Sequence, residues 1–358
     1  MADHDAFVHT EVDNRVVFGS GTRWRVAEEL GRLGVRRVVL TSGQRSNAIA
    51  QALAGTCGER AVAVLPHATM HVPTELADRT ARTVVDLGAD GIVAVGGGSA
   101  IGLAKSVARR AAVSILAVPT SYSGSEMTPI WGETHDGVKT TGRSAEVRPR
   151  TVIYDVDLTM SLPARFTVAS AVNAIAHGIE GLYAPDASPI RRAVAEEGIF
   201  KTVTALPTVV ADPDDRRART ELLEAAWMCA TVLASTTMGL HHKLCHVLGG
   251  TLNLAHAETH CVVLPHVMAY NLLPGGEARA RAVRAIGHPQ PAQELWQRVV
   301  SMGGPRSLGE LGMAAGDVAV IVEQVTATTS RDPRAVGPDA LGELLSRALE
   351  GKQPVETW

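Results

Sequence analysis

Six of the thirteen histidines fall between His241 and His266, in the run HHKLCHVLGGTLNLAHAETHCVVLPH. His242 and His246 are four apart, so on a helix they share one face. His256 follows after a Gly-Gly break. Far upstream, Asn173 and His177 form another four-apart polar pair inside the apolar stretch FTVASAVNAIAHGIEGLYA. A single histidine in such a stretch reads as a satisfied core residue. Two such segments together read as one pocket. Three histidines and a fourth polar group could hold zinc or iron, but such sites normally include a carboxylate or a water. An aspartate at position 173 would favour a metal. The neutral amide that stands there shifts the balance toward hydrogen bonding and proton transfer, which an imidazole with a pKa of about 6.5 performs near neutral pH.

A second set of residues could hold a phosphate. Gly96, Gly97, Gly98 and Ser99 lie between an apolar run and a helical one. Glycines allow a sharp turn and close backbone approach, and the helix that follows offers unpaired N–H groups and the positive end of its dipole. The pattern reads as a seat for a dinucleotide pyrophosphate, although it is not the usual GxGxxG fingerprint. The hydroxyl-rich run Pro119-Thr120-Ser121-Tyr122-Ser123-Gly124-Ser125-Glu126 follows the next apolar run. Pro119, Thr120, Ser121 and Ser125 are candidate cofactor contacts there. Thr41 and Ser42 end another strand-like run, where an acidic residue would repel a 2′-phosphate and Ser42 would not. Both NADH and NADPH are therefore expected to be accepted.

The elements that must position these residues follow from periodicity. In the first part of the chain, β-branched runs at 36–43, 61–65, 91–95, 114–119 and 152–155 alternate with helical stretches at 46–58, 73–90 and 100–110. Such alternation predicts a parallel sheet with helices on both faces. Thr74 is the expected N-cap of the helix beginning there. After about residue 158 the texture turns Ala/Leu-rich. Helices are expected over 166–184, 187–205, 216–237, 239–249, 292–302, 317–328 and 338–350, with CVVLPHVM at 261–268 readable as strand or buried helix. The expected fold is an α/β nucleotide-binding domain over 1–158 followed by an all-helical domain over 159–358, the latter ending in a surface tail GKQPVETW.

Bulk composition excludes other classes. The net charge is −3, with 46% apolar residues, so neither nucleic acid nor an anionic membrane surface is an expected partner. The polar, acidic start MADHDAFVHTEVDN is not a signal peptide, and no apolar run approaches the length of a membrane span. Four cysteines without CxxC spacing read as reduced thiols of a cytoplasmic protein.

Together these segments resemble the iron-containing alcohol dehydrogenase superfamily, which includes the dehydroquinate synthase-like enzymes. The resemblance runs over nearly the whole chain: VFGSGT at 17–22, GGGSAIGLAKS at 96–106, PTSYSGSEMTP at 119–129, the Asn173–His177 helix, and HHKLCHVLGG with His256. In its metal-dependent members an aspartate and three histidines hold iron or zinc. By position Asn173 replaces that aspartate, and His177, His242 and His256 match the histidines, so these three would be the ligands if a metal were bound. His246 matches a further histidine near the nicotinamide. Gly102 departs from the aspartate common in the glycine-rich motif. The runs GSEMTPIWG, KTTGR, NAIAH, HHKLCHVLGG and HAETH resemble the maleylacetate reductase branch, including its asparagine. This resemblance implies an active site in a crevice between two domains, a homodimer, and reduction of maleylacetate to 3-oxoadipate with NADH or NADPH late in aerobic breakdown of aromatics.

The loss of the carboxylate suits that reaction. A Lewis-acid metal helps to ionise an alcohol or polarise an isolated carbonyl. An alkene conjugated to a ketone can instead take hydride while hydrogen-bond donors stabilise the enolate. His242 and His246 are the candidate donors, with His177, His256 and Asn173 around them and no catalytic metal expected. The substrate is a small dicarboxylate, so cations are expected beside it. Lys139 and Arg143 in a loop are candidates, arginine because its fork binds a carboxylate in bidentate fashion. Lys243 ranks below the histidines, since sequence neighbours on a helix point about 100° apart. Tyr122 and Ser123 could add hydrogen bonds. The competing readings are a metal-dependent alcohol dehydrogenase, a reductase of another unsaturated oxo-acid, and a nucleotide-binding protein without catalysis.

Overall fold

The computed structural model describes residue 9, residues 13–136 and residues 138–356. It divides into two compact units, one over Val12–Leu162 and one over Pro163–Trp358, with His9 grouped with the latter. The boundary falls four residues after the sequence-based one, beside Pro163, which precedes the first helix of the second unit.

The first unit is built on a six-stranded sheet with every neighbouring pair parallel. Its strands are β1 (Arg15–Phe18), β2 (Val38–Ser42), β3 (Ala61–Leu65), β4 (Gly91–Gly96), β5 (Ser114–Pro119) and the last, Thr151–Tyr154. A separate antiparallel hairpin, β6 (Ile130–His135) and β7 (Val138–Arg143), makes that last strand β8. The order across the sheet is β1-β8-β5-β4-β2-β3. Strands β2 and β4 are buried at every position, as a sheet covered on both faces requires. The helices are α1 (Val26–Arg32), α2 (Asn47–Cys57), α3 (Thr74–Asp86) and α4 (Gly98–Ala111). Leu30, Leu40, Leu53, Val93, Val95, Leu116 and Ile153 form one core between sheet and helices.

The second unit is helical: α5 (Ala164–Tyr183), α6 (Pro189–Ala211), α7 (Arg216–Ser235), α8 (Leu240–Leu252), α9 (His256–Asn271), α10 (Glu277–Ile286), α11 (Pro291–Ser301), α12 (Asp317–Thr326) and α13 (Pro338–Glu350). A second core joins Leu240, Leu244 and Leu248 of α8 to Val263 and Val267 of α9, Ile321 of α12 and Leu341, Leu344 and Leu345 of α13. Long apolar α5 is buried almost throughout, so neighbours on both sides hold it in place. Among the described residues no helix is long and apolar enough to cross a membrane. Cys57, Cys229, Cys245 and Cys261 are all buried and form no disulfide.

Several local expectations change. Thr74 is the first helical residue of α3, not its cap; Pro73 precedes it, and the Thr74 hydroxyl donates to the Thr134 carbonyl instead. CVVLPHVM lies in helix α9, which carries Pro265 inside it. Lys139 and Arg143 stand on strand β7, not in a loop. The C-terminal segment is anchored rather than a free tail: Glu356 accepts from the backbone N–H groups of Ala292 and Gln293 at the start of α11 and pairs with Arg279 at 2.7 Å.

Candidate active site

In the α/β unit, the parallel order of β2, β4 and β5 brings three segments to one edge, the carboxyl end of the sheet. These are Thr41-Ser42, Gly96–Ser99 and Pro119–Ser125. The sequence-predicted cofactor residues are therefore neighbours in space. Gly96 has φ +143°, a conformation that side chains rarely adopt. A Cβ there would lie 3.0 Å from Ala100 Cβ, and one at Gly97 would lie 3.0 Å from Ser121 Oγ. The glycines thus let α4 start directly beside the hydroxyl loop. The Thr120 N–H donates to the Gly96 carbonyl at 3.1 Å and ties the two segments together. Helix α4 begins with no side-chain cap and no acidic residue in its first turn, so its N-terminal dipole is open to an anion. The hydroxyls of Thr41 and Ser42 are buried and have no protein partner.

Sequence reasoning missed the residue that shapes the hydroxyl loop. Lys105 of α4 is fully buried, and its ammonium donates to the carbonyls of Ser125 (2.6 Å) and Ile130 (2.8 Å) and to the Thr128 hydroxyl (2.9 Å). Burial pulls its pKa down to about 7, with Glu126 opposing that pull. Glu126 is itself buried, accepts from the Tyr154 hydroxyl at 2.8 Å, and has its pKa raised by the same desolvation. Tyr122 is fully buried, while Ser123 is part-exposed and reaches the Glu126 carboxylate at 3.5 Å. Gly102 meets a crowded wall: a Cβ there would lie 2.9 Å from a methyl of Val72, which sits in a left-handed turn with His71. Lys139 is part-exposed and Arg143 exposed on β7.

In the helical unit, three helices bring the predicted histidines together. Asn173, His177 and Glu180 of α5 follow the spacing of one helical face. On α8, His242 and His246 share a face, and their ring centres are 6.3 Å apart. His177 stacks on His242 at 5.0 Å, and His246 stacks on His256 of α9 at 5.9 Å. His241 and His260, which sequence reasoning did not single out, extend the cluster inward. His241 Nε2 and His260 Nδ1 are 2.7 Å apart, and His260 Nε2 and His256 Nε2 are 3.2 Å apart. Burial, and then the neighbouring rings, push His177, His241 and His260 well below the usual histidine range. Neutral imidazoles carry one N–H each, so along His256–His260–His241 each ring must donate to the next in a single direction.

Glu180 ties α5 to the histidine face of α8. Its fully buried carboxylate lies 2.6 Å from His242 Nδ1 and also accepts the backbone N–H of His241 at 2.8 Å. Among the described residues, Asn173 Oδ1, His177 Nδ1, His241 Nδ1 and His242 Nε2 of this cluster are buried without a protein partner. His242 and His246 line a pocket of about 300 Å³ together with Met238, Gly239, Lys243, Val247, Gln324 and Thr328. Lys243 is part-exposed and donates to the Thr328 carbonyl on the pocket rim. Among the described residues, the side chains whose ligand atoms all lie within 4.8 Å of one another are His241, Cys245 and His260, which is not the set expected for a family metal.

The same two halves are recognised by sequence. The iron-containing alcohol dehydrogenase model matches residues 13–156, and the C-terminal model of the Fe-containing alcohol dehydrogenase family matches residues 167–349. A maleylacetate reductase of Sphingobium indicum is 46% identical over 98% of this chain and 99% of its own. One from Burkholderia cepacia is 45% identical over 98% and 99%. The crystal structure of maleylacetate reductase from Agrobacterium tumefaciens superposes with a TM-score of 0.93 at 41% identity, covering 98% of this chain and 100% of that one. The chain belongs to the iron-containing alcohol dehydrogenase family, in its maleylacetate reductase branch.

Proposed function

We propose that this protein reduces maleylacetate to 3-oxoadipate, using NADH or NADPH held at Gly96–Ser99 and the Thr120–Ser125 loop, and that it does so without a metal. The relatives at 46% and 45% identity support the substrate. The observation that carries the chemistry is His242: one ring nitrogen is held by Glu180, and the other is buried without a protein partner beside a pocket. The nicotinamide, when bound, supplies the hydride for the alkene carbon β to the ketone. The electron pair of the C=C then moves toward the ketone oxygen. His246, and His242 when its ring also carries a proton on Nε2, stabilise that oxygen by hydrogen bonding, and one of them gives a proton to the carbon α to the ketone, completing the saturated oxo-acid. Lys243 at the pocket wall offers a positive charge to one substrate carboxylate, and Arg143 and Lys139 are the proposed partners of the other.

The donor set argues for chemistry without a divalent cation: Asn173, His177, His242 and His256 are all neutral ligands, and the buried carboxylate beside them, Glu180, holds the far nitrogen of His242 and so stands outside a metal's own shell. The three unpartnered atoms of Asn173, His177 and His242 favour one alternative, a metal-dependent dehydrogenase. An NADH-oxidation assay with maleylacetate, run with and without EDTA on protein whose metal content is measured, separates the two. Turnover that survives EDTA is expected. No turnover at all removes the assignment, and complete loss with EDTA restores the metal.

A further inference from the structure

We infer that Glu180 is a positioning residue for the reduction: it fixes the proton of His242 on Nδ1 and aims Nε2 at the substrate. The inference rests on the proposed function for its kinetic consequence, though not for its geometry.

A carboxylate has no hydrogen to give, so the 2.6 Å contact requires His242 Nδ1 to be the donor. The neutral ring therefore presents its lone pair, and the protonated ring its N–H, at Nε2, which has no protein partner. Among the described residues Glu180 forms an ion-pair contact with this imidazole and with no lysine or arginine. A fully buried carboxylate placed so is stabilised chiefly by the N–H groups it accepts. These are the His242 ring and the His241 backbone, with the Tyr183 hydroxyl at 3.5 Å.

A second carboxylate separates orientation from mere anchoring. Helix α8 starts at Gly239 with no side-chain cap of its own. Asp332 accepts the Leu240 N–H at 2.9 Å and Glu180 the His241 N–H at 2.8 Å, so both occupy the positive end of the helix. Gly239 is required there, since a Cβ would lie 2.5 Å from Asp332 Oδ1 and 3.4 Å from Glu180 Oε1. Asp332 Oδ1 also accepts from the side-chain amide of Asn271 at 2.8 Å. Glu180 alone of the two joins the helix start to a pocket imidazole. Carboxylates behind a metal-ligating histidine contribute about 10–100-fold to its task, and the same order is expected for a histidine that moves a proton.

The test compares Glu180→Gln, Glu180→Asp and Asp332→Asn in the full chain. It pairs steady-state kinetics on maleylacetate with ¹⁵N NMR of the histidine rings, the His242 signal being identified by its loss in His242→Asn. The expected results are an Nδ1–H tautomer for His242 in the unaltered protein and a kcat about 10–100-fold lower in Glu180→Gln with KM for NADH within about two-fold. Partial recovery of kcat is expected in Glu180→Asp. Asp332→Asn should lower thermal stability while keeping kcat within about three-fold. An Nε2–H tautomer in the unaltered protein overturns the inference even if the variants do not fold. Equal kcat losses in Glu180→Gln and Asp332→Asn overturn it too, because they leave only a structural role. Absence of maleylacetate turnover in the unaltered protein would instead count against the proposed function, with the tautomer still readable.

Discussion

The side chains of Glu180 and His242 meet at 2.6 Å although 62 residues separate them in the chain, and both are buried. This pair turns a histidine on a helix face into a directed group with one working nitrogen.

Replacing His242 by Asn removes the proposed proton-transfer group while keeping a polar side chain of smaller size. Loss of general acid catalysis is worth about 10²–10⁴-fold in rate. A fall in kcat of that order is expected, with NADH affinity little changed by fluorescence titration. A kcat within about three-fold of the original would move the proton-donor role to His246.

Lys243 and Arg143 test the substrate's carboxylates. Hydrogen bonds to charged groups contribute about 1.5–3 kcal/mol, so Lys243→Met or Arg143→Ala should raise KM for maleylacetate by about 10-fold or more. Steady-state kinetics with unchanged KM would remove the altered residue from the site. Lys243 has the closer structural support, since it lines the same pocket as His242 and His246.

Lys105 tests the cofactor loop. Lys105→Met would take the ammonium from the part-buried carbonyls of Ser125 and Ile130, leaving the Ser125 carbonyl with the Thr128 N–H and hydroxyl. An unsatisfied buried group costs about 1–3 kcal/mol. Urea unfolding should show a loss of about that order in total, and KM for NADH should rise because the Thr120–Ser125 loop loses its tether. Unchanged stability and KM would mean that the loop holds its shape without Lys105.

Acid stability should follow the buried histidines. Burial keeps His177, His241 and His260 well below the usual range and lowers His266 to about 4. In the unfolded chain each titrates near about 6.5. Below that pH the unfolded chain binds more protons than the folded one, so stability falls as pH falls. The slope is about 1.4 kcal/mol per pH unit for each ring, and for His266 it levels off near pH 4. Urea unfolding at pH 7.5, about 6 and about 5 should show this decline before the carboxylates titrate. Flat stability over that window would mean that the rings are protonated in the folded protein.

The residues that periodicity and type announce were legible in the sequence. Four-residue spacing put Asn173 with His177 and His242 with His246, and each pair does share a helical face. Apolar strand runs and the Gly96–Gly98 break defined the parallel sheet and the start of α4. These signals are local, because a helix repeats every few residues and a strand alternates, whatever the rest of the chain does.

What packing alone decides was not legible. Nothing local marks Glu180 as the partner of His242, His260 as the neighbour of both His241 and His256, or Lys105 as the tether of the loop around Ser125 and Ile130. Glu180 and Lys105 carry no local signal of their roles, which arise only when their helices pack and remove them from water. The hairpin of β6 and β7 and the anchored Glu356 escaped notice for the same reason: their partners lie on other segments. The sequence determined which chemical groups are available and on which faces of their own elements they stand. The tertiary structure decided which of them meet, because a buried charge is tolerated only where distant segments supply its hydrogen bonds.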